Sequence, residues 1–275
     1  MKTHWRLICS SIGENGAWNM ALDEAILMTV SEKEKAPTLR LYTWQPAALS
    51  LGFAQPVHDV DLVNLEREGW DLVRRPTGGK AILHIDELTY SVNAPVDDPL
   101  LSGSLLESYR KISQALLSAL EKLGINAAGD KTYSNDSTSA PVNPVCFETP
   151  SNYEITAAGK KLIGSAQARK YGGILQHGAL PISGDITRIT RVLNLITYQG
   201  GRKRAAENLI ERATNLETLM GFAPSWQEVA EAMIAGFAET FNITFVEEQP
   251  SAMEIDLTRK LLREKYASYA WNYRL

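Results

Sequence analysis

The sequence predicts one α/β domain with a helical extension at its C-terminal end. Short β-rich runs separated by turn residues, one long segment of sustained helical periodicity with such runs before and after it, and a change to a helical pattern beyond Pro181 together predict this class. At a soft prior of roughly 150 residues per domain, a chain of 275 residues allows one large domain. Its 44% hydrophobic and 22% charged residues match a soluble globule and supply a sizeable core. Lys and Arg number 28 against 32 Asp and Glu, a net charge of −4 without a long block of like charge, so no electrostatic footprint for nucleic acid is expected.

Residues 16–30 set Met20, Ile26 and Leu27 among alanines and acids, which reads as an early helix. Residues 38–43 and 48–53 are strands parted by a Gln45-Pro46 turn, and Asp59 is placed to cap a helix that stops at Gly69. Residues 70–75, 81–84 and 88–92 give three further strands. Leu105, Tyr109, Ile112, Leu116, Leu120 and Leu123 then recur at steps of four and three, the inward face of a helix ending at Gly124.

From 130 to 144 the composition is Asp, Ser, Thr, Asn and Pro, too polar to order itself by burial, and a mobile loop leading into Cys146 is expected. Residues 145–147, 153–156, 162–169 and 173–180 read as antiparallel strands, with the clearest turn at Ala157-Ala158-Gly159. Ser225-Trp226-Gln227-Glu228 has the form of a capping box, with Val229, Met233 and Phe237 facing inward. Residues 243–246 return as a strand and a last helix covers about 252–264. Tyr266, Tyr269, Trp271 and Tyr273 form an aromatic tail expected to pack back on the body. With no repeat and no true linker, the division is a body of residues 1–249 and an extension of residues 250–275.

No signal-peptide core opens the chain and no stretch of about 20 apolar residues occurs, so a cytoplasmic protein is expected. Cys9 and Cys146 are too few for a disulfide scaffold and stand in no C-x-x-C pair, so each is expected as a free thiol. His4, His58, His84 and His177 lack ligand spacing, and no metal is expected.

Two dense clusters could carry chemistry. In Arg74-Arg75-Pro76-Thr77-Gly78-Gly79-Lys80-Ala81-Ile82-Leu83-His84 a strand end delivers two arginines into a glycine turn. Glycines there let backbone N–H groups approach an anionic or carbonyl oxygen, although a plain hairpin turn is the commoner use. It is not a P-loop, since Arg74 stands at the first glycine position and Ala81 at the last. His84 alone is more often a satisfied structural histidine than a base. The second cluster runs from Pro144-Val145-Cys146-Phe147-Glu148 through Pro150-Ser151-Asn152-Tyr153-Glu154 to Gly159-Lys160-Lys161-Leu162-Ile163-Gly164-Ser165-Ala166-Gln167. A lone cysteine is ordinarily a small buried hydrophobe. Here it borders a polar loop, and a lysine fifteen positions on can lower a thiol pKa from about 8.5 toward abundant thiolate. Cys9, on an early apolar strand, reads as core filler.

Taken together, these clusters, with Asn19-Met20-Ala21-Leu22-Asp23-Glu24-Ala25 and Leu41-Tyr42-Thr43-Trp44-Gln45-Pro46 ahead of them, resemble the biotin/lipoate protein ligase superfamily over most of the chain. The resemblance implies a mixed, largely antiparallel sheet flanked by helices, related to class II synthetase catalytic domains. Lys80 at the third position of the glycine motif, Cys146-Phe147, Gly164-Ser165-Ala166-Gln167 and Leu175-Gln176-His177-Gly178 are most like the LipM-type octanoyltransferases. Ala179 departs from the serine common at that place.

By that resemblance the reaction carries an octanoyl group from acyl carrier protein through a Cys146 thioester to a lysine of a lipoyl domain, in lipoate biosynthesis. The acceptor would be a protein such as the glycine cleavage H protein or a 2-oxoacid dehydrogenase E2 subunit. Lys161 matches the functional lysine, stabilising the thiolate, the developing oxyanion, or both; Lys160, one residue off on a strand, should face the other way into solvent. Arg74, Arg75, Thr77, Gly78, Gly79, His84, Gly164, Ser165 and Ala166 are the expected substrate-binding residues. No cofactor, no nucleic acid and no membrane partner are implied. Two other readings stand beside this one: an ATP-dependent lipoate-protein ligase and a non-catalytic acyl-binding protein.

Overall fold

The structure is a computed structural model and describes residues 3–129, 154–196 and 198–274. The expected loop at 130–144, Cys146, the strand at 145–147 and Tyr153 lie outside the described residues.

The N-terminal strand β1 (Thr3–Cys9) buries Trp5, Arg6, Leu7 and Ile8, and so has a neighbour on each side. It lies parallel to β2 (Thr38–Tyr42) on one side and to β11 (Ile243–Glu247) on the other. Beyond β2 the sheet continues antiparallel through β6 (Glu87–Pro95), β10 (Gly173–Pro181), β9 (Lys160–Lys170), β8 (Ile155–Ala157) and β7 (Ala127–Gly129). This eight-stranded sheet is mixed and largely antiparallel, as the resemblance implied. The β9–β10 hairpin closes through Tyr171 and Gly172, both at positive φ, which suits the right-handed twist of the strands. The β8–β9 turn is at Ala158-Gly159, also both at positive φ.

Two helices cover one face. α3 (Leu105–Lys122) and α6 (Trp226–Phe241) each open with a full capping box, Ser104 with Glu107 and Ser225 with Glu228. They approach closely at Gly236, where a Cβ would stand 2.5 Å from the Ala119 nitrogen. Between them and the sheet lies the main core, with Ile112, Leu116, Met233 and Phe237 against Leu88, Tyr90 and Val92. The other face of β6, carrying Thr89, Ser91 and Asn93, is buried as well, because α1 (Gly16–Ser31) lies over it.

A separate three-stranded sheet, ordered β4 (Asp71–Arg74), β3 (Ala48–Leu51), β5 (Ile82–His84), sits beside the large one and leaves one edge of β5 unpaired within it. A 3₁₀ segment, Ile186–Arg191, and α4 (Gly201–Arg212) pack on it through Ile189 and Leu209. The short helix α2 (Leu62–Glu68) is capped by Asp61, not Asp59, and stops at Gly69. Val60 is still extended, so no helix can begin at Asp59; that residue ends a 3₁₀ turn, Val57–Asp59, and accepts from Gln55 Nε2 at 3.0 Å.

After α5 (Leu216–Met220) and β11, the chain ends in α7 (Ala252–Leu261), a π-helical turn Leu262–Tyr266 and α8 (Tyr269–Asn272). These pack on α1 and β4. Glu254 of α7 accepts from Arg6 Nη1 at 2.9 Å and from Thr29 Oγ1 at 3.0 Å. Glu24 of α1 takes bonds from Lys265, Tyr266 and Tyr171, and they hold its carboxyl below the usual range although burial alone would raise it. Among the described residues no helix is long and apolar enough to cross a membrane.

Candidate active site

Where the unpaired edge of β5 meets β9 and β10, a narrow cavity opens. Arg75, Ile82 and His84 line it from the small sheet, Gly164, Ser165 and Ala166 from β9, and His177, Gly178 and Ala179 from β10. Met20, Tyr42, Trp44 and Thr89 close it from α1 and the large sheet. Five of the expected binding residues, Arg75, His84, Gly164, Ser165 and Ala166, are thus brought to one cavity.

The glycine turn adjoins it through Arg75 and the Thr77–His177 contact, although Thr77, Gly78 and Gly79 are not among the residues lining it. Arg75 staples the turn, since Nη2 donates to the carbonyls of Gly78 and Lys80, each at 2.9 Å, while Nη1 donates to Ser50 O and Ser50 Oγ, each at 2.8 Å. Phe53 N–H donates to Thr77 O at 2.8 Å, and a Cβ on Gly52 would fall 1.9 Å from Gly79 O, so only glycine lets the two loops meet. Gly78 and Gly79 stay exposed, with Gly79 at φ +92°.

His84 is satisfied at both nitrogens. Nε2 lies 2.7 Å from Ser50 Oγ and Nδ1 2.8 Å from Glu87 Oε1, while its ring stacks 4.0 Å from Trp44. Ser50 Oγ also accepts from Arg75 Nη1, so the hydroxyl links the imidazole to the guanidinium. His177, not among the expected site residues, pairs Nε2 with Thr77 Oγ1 at 2.6 Å and Nδ1 with Asp23 Oδ2 at 3.5 Å. Burial pushes its pKa down, with Arg75 and His84 adding to the effect, against the opposing pull of Asp23. Asp23 is itself buried; burial would raise its carboxyl, but Arg40 at 2.7 Å and His177 hold it below the usual range. Tyr42 and Ser91 both donate to it, each at 2.9 Å.

Gly178 faces Ser165 across the β9–β10 ladder, and a Cβ there would stand 2.6 Å from Gly164 O and 2.7 Å from Tyr90 Cε1. Tyr90 hydroxyl and Ser165 Oγ are 2.8 Å apart, and burial pushes the Tyr90 pKa up to about 12. The wall is therefore close-packed, with its polar groups engaged by one another.

Arg74 does not line the cavity. Successive strand residues face opposite sides, and its guanidinium is turned to the Gly52 and Gln55 carbonyls and to those of Trp271, Asn272 and Arg274. Lys161 is buried on β9 and donates to Glu154 Oε1 at 2.7 Å; it is not among the side chains lining the cavity. Lys160, expected in solvent, reaches the Ile210 carbonyl in the last turn of α4 at 2.7 Å. Cys9 is half-buried against the main core, and burial, with Glu247 beside it, pushes its thiol pKa up. Among the described residues no three His, Cys, Asp or Glu side chains gather as a metal site.

His177 could have been found in the sequence through the Leu175-Gln176-His177-Gly178 segment already singled out. Asp23 stood in the first matched block, but nothing local marks it as a buried anion.

A family model described as the lipoyl protein ligase A/B catalytic domain matches residues 15–238. The octanoyltransferase LipM of Carboxydothermus hydrogenoformans is 42% identical over 98% of this chain and 98% of its own. That of Bacillus subtilis is 36% identical over 99% of each chain. A chain from the structure of a bi-partite lipoate protein ligase and its E2 lipoyl domain from Thermoplasma acidophilum superposes with a TM-score of 0.82 at 27% identity, covering 98% of this chain and 96% of that one. A lipoate-protein ligase A bound with ATP gives 0.79 at 29% identity over 99% of both chains.

Proposed function

The chain belongs to the lipoyl protein ligase A/B catalytic domain family, and we propose that it works through a thioester on Cys146. It is an acyltransferase that moves octanoyl groups in lipoate biosynthesis, a reading carried by end-to-end matches at 36% to 42% identity to octanoyltransferases LipM. Its partners are an acyl donor and a lipoyl-domain acceptor. The donor is octanoyl-acyl carrier protein, and the acceptor is a lipoyl-domain protein such as the glycine cleavage H protein or an E2 subunit.

The Cys146 thiolate attacks the thioester carbonyl, a new C–S bond forms as the carrier's C–S bond breaks, and the carrier leaves as a thiolate that takes a proton from water. A lysine amine of the acceptor then attacks the acyl-enzyme, its proton is lost, the amide forms and Cys146 returns as thiolate. Both halves run without ATP, since a thioester is already activated. Lys161, whose ammonium is buried against Glu154, supplies positive charge for the thiolate, the oxyanion, or both.

The octanoyl tail takes the cavity between β5, β9 and β10, and at about 0.8 kcal/mol per CH₂ its methylenes contribute roughly 5 kcal/mol of binding. The N–H groups of Gly78 and Gly79, on the adjoining turn, take the acyl carbonyl. Thr77 and His177 brace that turn, and His84 orients Ser50 and through it Arg75.

Incubating the full chain with octanoyl-carrier protein should add one octanoyl mass, and a lipoyl domain should remove it, without ATP or magnesium. The likeness to a lipoate-protein ligase A bound with ATP favours a second reading, the ligase. Transfer that demands ATP and free acid, and survives loss of Cys146, would establish that reading instead.

A further inference from the structure

A second cavity adjoins the first. Leu83, Ile186, Ile189, Leu209 and Ala213 give it an apolar side between β5, the 3₁₀ segment Ile186–Arg191 and α4, and Glu87, Asp185 and Arg188 line it as well. Among the described residues, Ile82 is the single side chain that lines both cavities. It sits on the unpaired edge of β5, 7% exposed, beside Ala179 at one cavity and Pro181 at the other. The second cavity is the roomier, with a volume of about 50 Å³ against about 20 Å³.

We infer that Ile82 is the partition that ends the acyl slot, and that the cavity behind it is an annex able to take the far methylenes of acyl chains longer than octanoyl. The inference rests on the acyl-binding role given above to the first cavity. Its physics is the loose selection of apolar pockets: smooth walls discriminate weakly between neighbouring chain lengths, so a sharp limit needs a side chain standing across the path. A β-branched isoleucine suits this, since its χ1 is stiff and it cannot swing aside as methionine would.

The test is Ile82→Ala in the full chain, read by calorimetric binding of free octanoate and dodecanoate and by intact-mass rates of acyl-enzyme formation from the two carrier thioesters. Removing the partition should raise the dodecanoyl-to-octanoyl ratio at least about tenfold in both readouts, since each of the further methylenes, once housed, is worth about a fourfold factor. Ile82→Val, which keeps the branch, should fold even where alanine does not and should shift the ratio in the same direction by less. Leu83→Phe added to Ile82→Ala fills the annex and should restore the preference for octanoate. An unchanged binding ratio in the folded alanine or valine variant overturns the partition. Wild-type binding of octanoate without acyl transfer would instead overturn the enzymatic reading and leave the partition judged by binding alone.

Discussion

Arg74 donates twice to Asn272: its backbone N–H reaches Asn272 Oδ1 at 2.9 Å and its Nη2 reaches the Asn272 carbonyl at 3.1 Å. The same guanidinium donates to the carbonyls of Gly52 and Gln55, and Trp271 Nε1 donates back to the Arg74 carbonyl at 2.9 Å. Arg74 therefore ties the chain end to the Gly52 loop, on which the glycine turn rests. Arg74→Ala should cost about 2–4 kcal/mol of stability, because several buried carbonyls lose their donor at once. Urea denaturation measures it. Full stability together with a raised KM for the octanoyl donor would return Arg74 to the substrate-binding role its sequence suggested.

Gly178 offers a second test, through space and not charge. A methyl group there would press on Gly164 O and the Tyr90 ring from one side of the β9–β10 ladder. Gly178→Ala should destabilise by about 1–3 kcal/mol, the usual cost of overpacking. It should also raise KM for the octanoyl donor while leaving that for the lipoyl domain unchanged. Equal changes in both, or none, would mean that the β10 wall does not hold the acyl chain.

The features read correctly from sequence are those whose cause is local. The stripe from Tyr109 to Leu120, the capping box at Ser225, the glycine stop at Gly69 and the turn at Gly159 each act within a few residues and stand where expected, whereas Leu105, expected on the inward face, is 45% exposed at the first helical turn. The site depends on longer connections. Alternation separates Arg74 from Arg75 but leaves open which faces the cavity, and the deciding partner, Asn272, is 198 residues away. His177 looked no different from His84 because its partners, Thr77 and Asp23, are 100 and 154 residues off. Thr89, Ser91 and Asn93 alternate like a wet strand face, yet they are buried under α1, where Ser91 serves Asp23.

The buried histidine gives stability a pH dependence. His177 is held below its ordinary pKa of 6.5 by burial. As pH falls below that value the unfolded chain takes up a proton that the folded chain refuses. The unfolded state then binds more protons, so stability drops with falling pH, by up to about 1.4 kcal/mol per unit from this one group. The full contribution is present above pH 6.5. His177→Gln should flatten the fall in urea midpoint between about pH 7.5 and 5.5. An equally steep fall in the variant would place the titrating group elsewhere.

Cys146 and Lys161 are the pair on which the proposed chemistry turns, and the two cysteines make an internal comparison. The Cys9 thiol, with its pKa raised by burial and by Glu247, should alkylate slowly near neutral pH, whereas a thiolate at Cys146 should react fast. Cys146→Ala should abolish both the octanoyl adduct and transfer. Cys146→Ser should leave at most a slow adduct, since an alkoxide is much harder to generate. Lys161→Ala should slow acylation by about 10²–10³-fold, the cost of losing one oxyanion donor. It also leaves Glu154 without the ammonium at 2.7 Å, so its urea midpoint must be measured beside its rate. Lys161→Arg keeps the charge and should hold the fold, but a planar fork in place of a compact ammonium should not restore the rate. Thioester that persists in Cys146→Ala and vanishes in Cys9→Ala would move the reaction to the other sulfur.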